Sequence, residues 1–482
     1  MFPFEDFRQF LNEADNLGLV RRIGNASCET EIGALCDLLG NQNDSPILLF
    51  ENIPGFPQGF RIAANWSISP KTCALALGLD PRLSNLELMS AYRKKVTGLK
   101  SSAPRVVNHG PVLENVLEGE EVNLLMFPVP TWHAHDGGPY IGTSDLAITK
   151  DPDEGWVNVG NYRMMVHDKK TLGIWFASPR RHGFLMAEKY WANGKSCPIA
   201  VSFGHEPTTW LVAIRNLPWG DSEYDYSGGL RGKAVDVISG KFTELPIPAT
   251  SEIAIEGEIP PPQEEKRMEG PFCEYPGYYA HHGPEFVIRV KRLMFRNNPI
   301  LLGAPMPRPP YSHVGIPHMA ADIWEYLEGG NVPFVKGVWI YGTTFLIVIS
   351  LKQRFAGHAT QALLSAASFV GNATVRYIVA VDDDIDPSKI TDVLWALFTR
   401  VDPEESMNIV KGTWTVALDP RLTPAKKESG NHTMSICLIN ACKPFEWQDK
   451  YPTSETVEPD VRRQVMKKWS SLFETLTASA LG

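Results

Sequence analysis

Cysteine is sparse and irregularly spaced: seven residues (Cys28, Cys36, Cys73, Cys197, Cys273, Cys437 and Cys442), with no CxxC pair. An odd count without zinc-type spacing argues against a disulfide framework or a structural zinc site and fits a reducing compartment. No Lys/Arg block stands out in a chain of net charge -9, which removes the electrostatic footprint of a nucleic-acid or acidic-lipid partner. The longest apolar run, near Phe345-Leu346-Ile347-Val348-Ile349, is far too short to span a bilayer. The start of the chain carries Glu5 and Asp6 and lacks an apolar leader, so a cytoplasmic protein is expected. There is no P-loop, no GxGxxG opening a helix, no GxSxG elbow and no HExxH. Internal repeats and low-complexity segments are also missing.

What is present is ordinary globular material. The chain has 482 residues, 43% hydrophobic and 21% charged, a length that implies two or three domains. Phe4, Phe7, Phe10, Leu11, Ala14 and Leu17 recur at helical spacing, Gly18 stops that helix, and Leu19–Ile23 and Pro46–Phe50 read as strands. Residues 1–104 are therefore taken as an N-terminal α/β domain. Over 105–310 short alternating segments are divided by Gly, Pro and Asp/Asn turns, with few helical stretches. Phe286–Lys291 is the clearest half-buried strand, and a mainly antiparallel β domain, barrel-like, is expected. Over 311–458 strands near Phe345–Leu351 and Tyr377–Val381 alternate with helices across Ala359–Phe369 and, from an Asp386 cap and Pro387, through Trp395, as in a largely parallel α/β domain. From 459 to 482 an amphipathic helix aligns Val461, Val465, Trp469, Leu472, Phe473 and Leu476, a stripe that either packs on its own domain or grips a neighbouring subunit.

The stretch richest in chemistry is Glu269-Gly270-Pro271-Phe272-Cys273-Glu274-Tyr275-Pro276-Gly277-Tyr278. On a continuous strand positions five apart face opposite ways. Gly270-Pro271 breaks that geometry and lets both carboxylates turn toward one point. Apolar neighbours and a like charge nearby raise the pKa of at least one of them. Upstream, Trp156–Asp168 reads as a strand running into a turn and carries Asn158 and Arg163. An Arg in such an apolar run needs a carboxylate or phosphate partner, either in a ligand or in a structural ion pair. His182 and Glu223 fall in two further loops; with Asn158 they offer the nitrogen and oxygen donors that suit Mn²⁺ or Mg²⁺. His133, His135, the His281-His282 pair and His313 suggest a metal-dependent hydrolase as an alternative, although no carboxylate stands at a recognised offset from them.

Taken together and in order, these residues resemble the UbiD family of reversible decarboxylases that use prenylated FMN. The similarity runs through Trp132–Tyr140, Asn158, Arg163–Asp168, Pro248–Ile253, Glu256-Gly257, Glu269–Glu274, Gly357-His358-Ala359, Asp382-Asp383-Asp384, Asp392–Ala396 and Thr399-Arg400. The resemblance implies a multidomain α+β and α/β fold: a central split β-barrel of the flavin-reductase type, flanked by an N-terminal α/β domain and a C-terminal α/β dimerisation domain. It implies that Asn158, His182 and Glu223 bind a divalent metal, usually Mn²⁺, that clamps the cofactor phosphate. It also implies a K⁺ ion sharing Glu223, with carbonyls from Val212–Arg215 and the region of Arg400. Arg163, Glu269 and Glu274 match the catalytic group, with Arg163 also at the cofactor and Glu274 as the proton donor.

The resemblance further implies a small carboxylic acid as substrate, a homodimer or higher homo-oligomer, and a separate flavin prenyltransferase as the source of the cofactor. Ile174, Tyr275, Tyr311 and His313 are expected to line the substrate side. The expected reaction is non-oxidative decarboxylation of an aromatic, heteroaromatic or α,β-unsaturated acid. A non-catalytic flavin-binding protein is the alternative from outside enzymology, and the intact Arg163, Glu269 and Glu274 argue against it.

Overall fold

Asp6 caps the first helix by accepting the Gln9 N–H, so the helix runs Phe7–Asn16 rather than from Phe4. Phe4, Phe7, Phe10, Leu11 and Ala14 are buried as their spacing predicts, and Phe10 meets Trp66 edge-on at 6.2 Å. Each such aromatic contributes about 1.5–3 kcal/mol of burial. Gly18, at φ +72°, supplies the left-handed turn that ends the helix. Strands Val20–Gly24 and Ile47–Glu51 pair in parallel, and Arg61–Ala64 adds antiparallel. The fourth strand of this sheet, Ile300–Leu302, arrives from the far end of the central segment. The computed structural model describes residues 2–42, 44–215, 217–280, 282–311, 316–369, 374–454 and 457–472.

The central segment is α+β, built on a ten-stranded sheet curled into a half-barrel. Its path runs through Tyr140–Gly142, Met164–Val166, Thr171–Ile174, Gly283–Phe295, Ile253–Ile259, Cys197–Ser202, Leu146–Lys150 and Val157–Gly160. Every adjacent pair on that path is antiparallel. The long strand Gly283–Phe295 is its spine, and also pairs with Arg267–Glu269 and Asn115–Glu118. At the Glu256/Gly257 register shift a Cβ on Gly257 would stand 2.5 Å from the Arg289 carbonyl oxygen, so only glycine fits the bend. The expectation of few helices here needs correction. His182–Ala192, Pro207–Ala213 and Glu223–Arg231 are helical, and His182 and Glu223 open helices rather than sit in loops.

The C-terminal sheet orders Val335–Tyr341, Leu346–Leu351, Tyr377–Asp382, Thr433–Ala441 and Met407–Trp414, with parallel pairing through its middle three strands. Helices Ile316–Gly329 and His358–Phe369 cover it. The helix through Trp395 begins at Ile390, not at Pro387; Asp386 instead caps a turn by accepting the Ser388 N–H at 3.0 Å. All seven cysteines are free.

The chain divides into compact units at Met1–Cys442 and Lys443–Gly482. In the second unit Pro459–Lys468 is helical, and Val461, Val465, Trp469 and Leu472 are exposed. Phe473 and Leu476 lie outside the described residues.

Glu252 ties the opening helix to the central sheet. Fully buried, it accepts Arg8 Nε and Nη2, each at 2.8 Å, Arg296 Nη1 at 3.1 Å and the Ile300 N–H at 3.1 Å. Removing one member of a buried charged cluster strands the others. Glu252→Ala is therefore expected to lower unfolding free energy by about 3–5 kcal/mol, read by urea denaturation; a change under about 1 kcal/mol contradicts this role.

Candidate active site

Arg163 lies just beyond the strand Val157–Gly160, in the link to Met164–Val166, so Asn158 and Arg163 do not share one strand. Its guanidinium presents one edge to Glu269: Nε donates to Oε1 at 2.9 Å and Nη2 to Oε2 at 2.7 Å. The remaining nitrogen, Nη1, donates to Glu274 Oε1 at 2.7 Å. Trp175 lies 4.0 Å from the guanidinium carbon and Phe272 at 5.5 Å, so the cation is held between aromatic faces.

The two carboxylates are not equivalent. Glu269 is fully buried, and its Oε1 also accepts the Tyr140 hydroxyl at 2.8 Å. Glu274 keeps 15% of its side chain accessible and lines the cleft beside Arg163. Burial raises the Glu274 pKa; Arg163 pulls it back, and Glu269 pushes it further up. The sequence-based expectation of one raised carboxyl is met at Glu274.

The geometry follows from the local sequence. Glu269 ends the strand Arg267–Glu269, Gly270 turns the chain at φ +81°, and Phe272–Glu274 then pairs with Tyr278–Ala280. Thus each carboxylate ends its own short strand, and the strands are aimed independently. The segment from His133 to Tyr140 clasps this turn. Asp136 accepts the Cys273 N–H at 3.0 Å, the Gly137 N–H reaches the Pro271 carbonyl at 2.7 Å, and the His135 N–H reaches the Tyr279 hydroxyl at 3.1 Å. His133 stands 3.5 Å from Asp136 inside the clasp. Among the described residues no group of three His, Cys, Asp or Glu could hold a metal; His281 and His313 lie outside those residues.

The cleft offers about 1120 Å³ of free space, part of it open to solvent. Arg163, Glu274, Trp175, Phe272 and Tyr275 line it, together with Asn161, Tyr162, Arg181, Trp210 and His318. Tyr275 lies 6.3 Å from Phe345, ring to ring, and burial pushes its phenol up to about 12.

Asn158, His182 and Glu223 are gathered beside Tyr162. The helices that open at His182 and Glu223 both pack on the strand Val157–Gly160 that carries Asn158. The Tyr162 hydroxyl accepts the Gly183 N–H at 3.1 Å and hydrogen-bonds Asn158, with Arg181 and Glu223 within electrostatic reach. Glu223 accepts the Val159 N–H at 2.9 Å, and burial pushes its carboxyl up to about 7. Asn158 is buried and donates to Thr149 Oγ1 at 3.4 Å; His182 packs edge-on against both Trp156 and Trp219, 5.2 Å from each ring. One amide oxygen, one imidazole and one desolvated carboxylate fit a hard or borderline divalent cation. The two helix N-termini favour an anion nearby.

Other expected residues are placed elsewhere. Ile174 is fully buried in the sheet, paired with Phe286 and Met164, and does not line the cleft; the next residue, Trp175, does. Tyr311 donates its N–H to the Arg308 carbonyl in a turn and is not among the lining residues. Arg400 forks to Asp382 and Asp384 in the C-terminal sheet, and the Val212 carbonyl accepts the Arg215 N–H.

Family models match along the chain in sequence order. Residues 11–92, 105–309 and 313–441 match the N-terminal, Rift-related and C-terminal domains described as 3-octaprenyl-4-hydroxybenzoate carboxy-lyase. A phenolic acid decarboxylase of Escherichia coli O157:H7 is 29% identical over 434 residues, 88% of this chain and 90% of the relative. A vanillic acid decarboxylase of Sedimentibacter hydroxybenzoicus in open form superposes with a TM-score of 0.84 at 25% identity, over 98% of this chain and 99% of that one. An evolved dimeric form of the UbiD-class enzyme HmfF from Pelotomaculum thermopropionicum, in complex with prFMN, superposes with a TM-score of 0.80 at 25% identity, over 95% of this chain and 98% of that one.

The clasp carries a test. A Cβ on Gly137 would fall 2.0 Å from the Gly270 carbonyl oxygen, a backbone atom that cannot swing aside. Gly137→Ala is expected to cost about 1–3 kcal/mol of stability and to move Glu274 off Arg163. Thermal unfolding and a crystal structure of the variant check this; an unchanged turn contradicts it.

Proposed function

Because the chain belongs to the UbiD family of carboxy-lyases, we propose that it non-oxidatively and reversibly decarboxylates an aromatic, heteroaromatic or α,β-unsaturated acid, using prenylated FMN. The observation that carries this reading is the unequal placement of two carboxylates on Arg163, one locked and one facing the cleft. Support for the substrate class comes from relatives named for phenolic and vanillic acids, and for the cofactor from the prFMN complex of HmfF.

Asn158, His182 and Glu223 would hold Mn²⁺ or Mg²⁺ against the cofactor phosphate, with K⁺ beside Glu223; the buried carboxylate gains from such a cation. When bound, prenylated FMN supplies an electron sink for the pair left on carbon as CO₂ departs. Arg163 keeps its charge through Glu269 and turns its outer nitrogens to the substrate carboxylate, in place of Glu274. Glu274, released and protonated, delivers its proton to the carbon whose bond to the carboxyl group has broken. In the carboxylation direction it takes that proton back. Trp175 and Phe272 exclude water from the cation.

A homodimer is part of the reading. Leu394, Trp395 and Phe398 on one C-terminal helix, and Met407, Ile409 and Trp414 on the edge strand, are exposed. The reading includes a cytoplasmic location and a separate flavin prenyltransferase as the source of the cofactor; no helix among the described residues is long and apolar enough to cross a membrane.

Protein co-produced with an active flavin prenyltransferase is expected to carry a modified-flavin absorbance and to release CO₂ from a panel of aromatic and acrylic acids. Glu274→Gln should keep the flavin and lose about 10²–10⁴-fold in turnover. The wild-type rate should fall as pH rises through the raised pKa of Glu274, because the acid acts in its protonated form. Undiminished turnover in Glu274→Gln removes its role. His182→Ala should lose metal and flavin together, read by elemental analysis and absorbance; unchanged occupancy refutes the phosphate clamp.

A further inference from the structure

A buried polar cluster, unused in the reaction above, ends at the cleft. Arg215 forks to Asp322, with Nε 3.1 Å and Nη2 2.5 Å from its carboxylate oxygens, and its Nη1 donates to the Tyr226 hydroxyl. Tyr226 is close enough to Tyr92 to act on it electrostatically. The Tyr92 hydroxyl, fully buried, lies 2.5 Å from Nδ1 of His318. His318 is 1% exposed and lines the cleft, and its Nε2 is buried with no hydrogen-bond partner among the described residues.

The Tyr92 hydroxyl carries one proton and contacts His318 Nδ1. Accepting a proton from Nδ1 would leave that buried phenol proton without an acceptor among the described residues. Donation from Tyr92 to Nδ1 is the orientation that uses it. It leaves the ring proton of His318 on Nε2. Burial and the neighbouring Arg215 hold the imidazole neutral, with its pKa down at about 3, so the ring stays a single-proton donor at working pH.

We propose that His318 is a specificity-determining residue: its Nε2–H donates to an acceptor atom on the acid substrate, an ether, carbonyl or phenol oxygen or a ring nitrogen remote from the carboxylate. Tyr92 is the positioning residue that fixes its tautomer. This rests on the decarboxylase reading for the identity of the ligand. A buried donor without a partner is costly, so the site disfavours a ligand of equal shape that lacks the acceptor.

The test uses holoenzyme and matched ligands: 3- and 4-methoxybenzoate against 3- and 4-ethylbenzoate, with affinities from calorimetry. Wild type is expected to favour one methoxy isomer over its ethyl partner by about tenfold. His318→Leu should bring that ratio close to one, His318→Gln, whose amide can still donate, should keep it, and Tyr92→Phe should reduce it. Nitrogen NMR of histidine-labelled protein should show His318 protonated on Nε2 in wild type. A ratio near one in wild type, a ratio unchanged in His318→Leu, or the Nδ1-protonated tautomer overturns the proposal. So does loss of flavin from His318→Leu with the ratio intact, which would assign the donor to the cofactor. Failure of wild-type holoenzyme to release CO₂ from any acid would sink the decarboxylase reading and leave these ratios and the tautomer still measurable.

Discussion

A guanidinium removed from water is stable only if its charge is answered, and the central fold answers Arg163 with Glu269, Tyr140 and the faces of Trp175 and Phe272. That demand explains much of the architecture around it. Glu269 must end a strand paired to the spine of the half-barrel, Tyr140 must come from another strand of the same sheet, and the hairpin Phe272–Ala280 must fold over the top. Once Glu269 is committed, only Glu274 retains access to the cleft. Chemistry is thereby separated from support on a single cation.

The second cluster obeys the same logic at the other side of Tyr162. Two helices begin where the strand Val157–Gly160 presents Asn158, and their first residues, His182 and Glu223, are brought in by packing rather than by local sequence. Tyr162 lines the cleft and hydrogen-bonds the first turn of one helix, so it joins the polar cluster to the cavity in which Arg163 lies. The clasp around Asp136 and Gly137 absorbs the HxH motif that might otherwise be read as metal chemistry.

The legibility of the chain divides along physical lines. Alternation and helical spacing exposed the opening helix and two of the five strands of the C-terminal sheet, because one buried face prints its period directly. Gly270-Pro271 foretold the convergence of two carboxylates, since a turn between them was the simplest way to aim both. The helices at His182 and Glu223 were not legible. Gly183, Gly228 and Gly229 are poor helix formers, yet a Cβ at these positions would stand 2.8 Å from Tyr162, 2.4 Å from the Ser102 oxygen and 2.6 Å from the Lys100 oxygen, respectively. Close approach overrode propensity there. Ile174 was chosen for the pocket one residue too early: it is the last residue of its strand and points into the core, while Trp175 leaves the sheet and turns to the cleft. The pairing of Tyr92 with His318 joins positions 226 residues apart, and no local pattern carries it.

The claim that Glu274 exchanges a proton with the reacting carbon over Arg163 is tested most directly by solvent deuterium exchange into the decarboxylated product. Holoenzyme is incubated with product in D₂O without CO₂, and the exchange is followed by proton NMR. The account predicts exchange at the single carbon that bore the carboxylate, and its loss when Glu274 is replaced by Gln. Exchange that persists at the wild-type rate in that variant, or that spreads over other ring positions, would contradict it.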